Sequence, residues 1–133
     1  MQYAVPRRGV PGAAALRTWA RAAGAKAITL RIVGAREGRR LNREYRRKGY
    51  ATNVLSFSYG NMRGDIVLCH PVIVREARAQ GKRVRAHYAH LVVHGVLHLQ
   101  GYDHMKKKDA ARMERKEIRL LRALGFANPY EVK

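Results

Sequence analysis

The chain has 133 residues, 47% of them apolar, which suits one domain spanning 1–133 around a single core and argues against disorder. Twenty-eight Lys and Arg face nine Asp and Glu, a formal charge of +19, with no acid before Glu37; such an excess points to polyanionic partners, with RNA, DNA and ribosomal surfaces the obvious ones. No apolar run approaches the ~20 residues of a membrane span, and the N-terminus lacks the order of a secretory signal. Cys69 is the only cysteine, which excludes an intramolecular disulfide and a CxxC zinc site and fits a reducing, cytoplasmic setting.

In chain order, Ala13 to Ala23 is predicted as a helix, with Pro11 near its first turn and Gly24 just past its end. Leu16, Trp19, Ala20 and Ala23 form its inner face. Ile28, Leu30 and Ile32 alternate with Thr29 and Arg31, the period of a half-buried strand. A basic helix follows from about Arg36 to Lys48, with Leu41 and Tyr45 as its inner stripe. Asn53 to Ser58 and Asp65 to Cys69 read as two strands, and the turn-rich YGNMRG between them predicts an antiparallel hairpin. Pro71 and Gly81 bracket another helix carrying Val72, Ile73 and Ala77. The segment from about Arg83 to Leu99 is helical in spacing and apolar on most sides near its end, as expected of a buried central helix. A last helix runs from about Lys106 to Leu124. Early strands and late helices predict an α+β fold: a small mixed sheet packed with about five helices around the histidine-bearing one.

That central helix holds four of the six histidines: His87, His90, His94 and His98. His94 and His98 stand one turn apart, with backbones about 6 Å from each other, so both imidazoles can reach one ion. Zinc accepts histidine nitrogen at about 2.0–2.1 Å in a near-tetrahedral array. His90 lies two turns, roughly 12 Å, from His98 and is poorly placed to complete that array. His104 is the better third ligand, because Gly101 can end the helix in a left-handed conformation and turn the chain back. Three histidines leave a fourth coordination position open, as in catalytic rather than structural zinc sites. The spacing H-x-x-x-H-x-x-G-x-x-H is that of the metzincin proteases, except that Gly95 stands where they carry a glutamate base.

HGVLHLQGYDH, His94 to His104, resembles the signature HGxLHLxGYDH of the YbeY endoribonucleases. LNREYRRKGYATNVLSF resembles that family's Asn-x-x-Tyr-Arg helix and following strand, GDIVLC its Gly-Asp-Ile strand, AHYAHLVVHG the start of its histidine helix, and ALGFANPY its C-terminal end. The likeness spans about Leu41 to Tyr130. It implies one zinc ion per chain on His94, His98 and His104, cleavage of single-stranded RNA, and a role in maturing ribosomal RNA on ribosomal particles, notably at the 3′ end of the small-subunit RNA. It also implies a catalytic role for Arg46, since a guanidinium can clamp phosphate and stabilise developing charge. Asp103 and His90 are further candidates, each able to hydrogen-bond a ligand imidazole; a turn-stabilising Asp and a core histidine are the alternatives. The chain departs from the family in its short hairpin turn at Gly60 to Arg63, in Ser58 where proline is frequent, and in its high positive charge. A non-catalytic, zinc-containing ribosome-assembly factor and a metalloprotease are the rival functions.

Overall fold

A computed structural model describes residues 1–46, 49, 52–61, 63–101 and 107–131, apart from the side chains of Arg46, Lys107 and Lys108. Its elements are β1 (Gln2–Tyr3), α1 (Ala13–Ala22), β2 (Ala27–Val33), α2 (Ala35–Arg46), β3 (Val54–Gly60), β4 (Arg63–Cys69), α3 (His70–Ala79), α4 (Val84–Leu99) and α5 (Lys107–Ala123). The four strands form one mixed sheet in the order β1-β2-β4-β3. β1 and β4 both run parallel to β2, and β3 returns antiparallel to β4. The α+β expectation of a small mixed sheet with five helices is met.

Strand periodicity sorts the core into two layers. Leu30 and Ile32 of β2, with Ile66 and Leu68 of β4, face the main cluster with α1, α4 and α5. Their neighbours Val33, Val67 and Cys69 point the other way, joining Leu55, Val72, Leu41 and Phe57 in a smaller cluster against α2. α4 is the hub of the larger layer. Tyr88, Ala89, Val92, Val93, Val96 and Leu97 are all fully buried, as its nearly continuous apolar surface requires.

Two expectations need correction. The helical period puts Tyr45 on the inner stripe of α2, but it is 64% exposed; an edge contact with Phe57, ring centroids 5.0 Å apart, ties it to the sheet. Leu41 does pack inward as that stripe predicts, and the fully buried Asn42 joins it. β1 was not anticipated. It is two residues long and carries no periodicity of its own, and it exists through its register with Arg31 and Ile32 and the bond from Ala4 N–H to the Ile32 carbonyl.

Candidate metal centre

α4 sets its histidines in a ladder down one side. Ring centroids are 6.2 Å apart for His87 and His90, 6.0 Å for His90 and His94, and 4.7 Å for His94 and His98. The last step is the closest, with the rings inclined at 73°. Two imidazoles that near can share one ion at ordinary zinc–nitrogen distances. α4 then stops where the glycine predicts. Gly101 takes φ +93°, and its N–H reaches the His98 carbonyl at 3.0 Å. His104 and Asp103 lie outside the described residues, as does the side chain of Arg46, whose backbone ends α2.

The position between the two histidines has its own geometry. Gly95 faces the sheet: a Cβ there would lie 3.1 Å from Ser56 Oγ and 3.3 Å from two carbons of Ile66. The Ser56 hydroxyl donates to the Gly95 carbonyl at 3.1 Å, fixing α4 tightly against β3. A carboxylate at 95 would enter the packed interior between helix and sheet. The proteases' general base therefore has no counterpart at this position.

Behind His94 stands a residue that sequence reasoning missed. Glu117 of α5 is fully buried, and its carboxylate accepts a bond from His94 Nδ1 at 2.5 Å. Its other oxygen accepts the Tyr130 hydroxyl. His90 Nε2 lies 3.6 Å from the first oxygen and 3.3 Å from the Tyr130 oxygen. Burial alone would raise the Glu117 carboxyl, but the His90 imidazole beside it and hydrogen bonds from His94 and Tyr130 outweigh it and hold it down to about 2. Burial, and then the bond to Glu117, push the Tyr130 phenol well above its ordinary value, so it stays protonated and donates. The signal for Glu117 was present in the sequence. It falls midway between Met113 and Leu121, one turn from each, on the stripe that α5 buries.

His90, His94 and Glu117 can themselves hold a metal ion, since one ligand atom from each lies within 4.8 Å of the others. Two overlapping arrangements thus share His94: one with His98 on its far side, the other with Glu117 and His90 behind it. His90, expected as a candidate partner of a ligand imidazole, stands beside the Glu117 carboxylate, and its Nδ1 is buried without a partner among the described residues. Cys69 plays no visible part. It is buried, and burial raises its thiol, the reverse of what a nucleophile needs.

Comparison with known proteins identifies the family. Residues 13–125 match the family model described as Endoribonuclease YbeY. A relative from Aromatoleum aromaticum bearing that name is 55% identical over 125 residues, covering 90% of this chain and 81% of its own. One from Nitrosomonas eutropha, also named Endoribonuclease YbeY, is 49% identical over 138 aligned positions, covering 100% of this chain and 98% of its own. The solution structure of TM1509 from Thermotoga maritima shares the fold with a TM-score of 0.57 at 22% identity, over 98% of this chain and 97% of that one. With a matched family model across most of its length and near-full-length relatives at about half identity, the chain belongs to the endoribonuclease YbeY family.

Proposed function

We propose that the protein is a zinc-dependent endoribonuclease, one catalytic domain that cuts single-stranded RNA in the cytoplasm and matures ribosomal RNA, acting on ribosomal particles at the 3′ end of the small-subunit RNA. The observation that carries the proposal is the close pair of His94 and His98, within a chain whose relatives are named endoribonucleases. His94, His98 and His104 are the proposed ligands. With its Nδ1–H given to Glu117, His94 would meet an ion through Nε2. When bound, zinc supplies Lewis acidity toward a phosphoryl oxygen and toward attacking water.

The other parts belong to the chain itself. Arg46, at the end of α2, is proposed to clamp the scissile phosphate and offset the charge that grows there. Arg36, Arg39, Arg40 and Arg43 on α2, and Arg112, Arg115, Arg119 and Arg122 on α5, present exposed guanidinium groups that favour phosphate. Exposed Tyr45 and Tyr59 border a hollow of about 590 Å³ with Phe57, a surface suited to unpaired bases. A peptidase reading is disfavoured by the packing at Gly95. The test is cleavage of an end-labelled single-stranded RNA and its duplex, with and without a chelator. Cleavage of the single strand alone, abolished by the chelator and restored by zinc, is expected. Cleavage unaffected by the chelator would overturn the metal dependence, and no cleavage by the zinc-loaded protein would return the chain to the assembly-factor reading.

A further inference from the structure

A buried carboxylate on an apolar stripe is costly unless its oxygens are satisfied. A leucine at 117 would pack between Met113 and Leu121 without that cost. The acid must therefore be read through its partners, and they share one direction. One oxygen receives His94 Nδ1–H and the other the Tyr130 hydroxyl. With both oxygens so engaged, the carboxylate is turned to holding an imidazole rather than to meeting an ion. A histidine that donates through Nδ1 is fixed as one tautomer, with Nε2 as its only ligand atom.

Tyr130 is brought there by the segment after α5. Its N–H bonds to Asn128 Oδ1 at 2.8 Å, and Lys82 Nζ grips the neighbouring Pro129 carbonyl at 2.5 Å. His90 closes the carboxylate's remaining side.

We infer that Glu117 is a positioning residue, which holds His94 as its Nδ1–H tautomer with Nε2 turned toward the ion, and that Tyr130 holds Glu117 in turn. The inference rests on the proposed ligand set, in which His94 and His98 share the metal. Glu117 touches neither substrate nor ion in this arrangement. It acts only through His94.

Histidine ¹⁵N NMR of the full chain, combined with zinc affinity by competition with a chelator, tests it. Metal-free wild type should show His94 as a single Nδ1–H tautomer, and added zinc should bind its Nε2. Glu117→Gln should give a tautomer mixture and bind zinc about 10–100-fold more weakly. Tyr130→Phe should shift both readouts the same way by a smaller factor. Zinc on His94 Nδ1 in the wild type would make Glu117 and His90 the ligands and overturn the inference, and this result needs no variant to fold. A lower melting temperature in Glu117→Gln with tautomer and zinc affinity unchanged would also overturn it, leaving a purely structural role. Unchanged readouts in Tyr130→Phe would remove Tyr130 from the chain of contacts. His98→Ala separates the two layers: retention of zinc there defeats the ligand set itself, whereas loss of zinc there beside an indifferent Glu117→Gln defeats only the positioning role.

Discussion

Gly95 shows how one residue both selects a chemistry and builds a contact. Its missing Cβ lets α4 approach Ser56 and Ile66, and the same absence removes the carboxylate that a protease of this histidine spacing requires. Gly95→Glu should not create a peptidase. It should instead destabilise the fold by on the order of 3 kcal/mol or more, through overpacking and an unpaired buried charge, measurable as a lower denaturant midpoint. Casein cleavage by a stably folded Gly95→Glu protein would contradict this. Arg46→Ala tests the proposed catalytic group. Metal content should persist while cleavage falls about 10²–10³-fold; a wild-type rate would reduce Arg46 to a surface charge. The close pairing of His94 and His98 and the helix stop at Gly101 were legible, because i, i+4 spacing and a left-handed glycine are local rules. For Glu117 only the burial was legible, from its place between Met113 and Leu121; its role depends on His94 and Tyr130, 23 and 13 residues away.

The regular elements followed the same division. The helices α1, α3 and α4 and the hairpin β3–β4 stand where periodicity and turn residues put them, because each buries a face that its own sequence defines. The hairpin strands run further than expected, to Gly60 and from Arg63, with positive φ at Gly60 and Asn61 making a tighter turn. Tyr45 misled because the helical period marks a face without saying how far the sheet beneath it extends. The junction of α3 with α4 carries a pH dependence. His70 Nδ1 meets the Tyr88 hydroxyl at 2.6 Å, and burial holds the imidazole below its ordinary value of 6.5. The folded chain then binds fewer protons at this group than the unfolded chain, so its contribution to stability is complete above that value and declines as the pH falls through it. The melting temperature of wild type should drop between pH of about 7.5 and about 5 more steeply than that of His70→Gln. Equal slopes would show that His70 titrates alike in both states.

Across the molecule, the +19 charge has no counterpart among the acids, and the exposed arginines of α2 and α5 carry much of it on two separate helices. RNA affinity should therefore fall steeply with salt, log affinity against log salt being linear with a slope near −0.7 per phosphate contacted, while a flat line would mean that the excess charge does not meet phosphate. The α+β class was readable because strands and helices separate along the chain; the sheet order β1-β2-β4-β3 was not, since parallel pairing across α2 is a long-range choice. No helix of the described residues is long and apolar enough to cross a membrane. We propose that the ion sits on His94 with His98, ahead of Glu117, and serves RNA cleavage. Metal content and cleavage of one labelled single-stranded RNA, measured together for wild type, His98→Ala and His90→Ala, test it most directly. About one zinc per chain is expected in wild type and His90→Ala, with both metal and cleavage lost in His98→Ala. Metal and cleavage retained by His98→Ala but lost in His90→Ala would contradict it and place the ion against Glu117 instead.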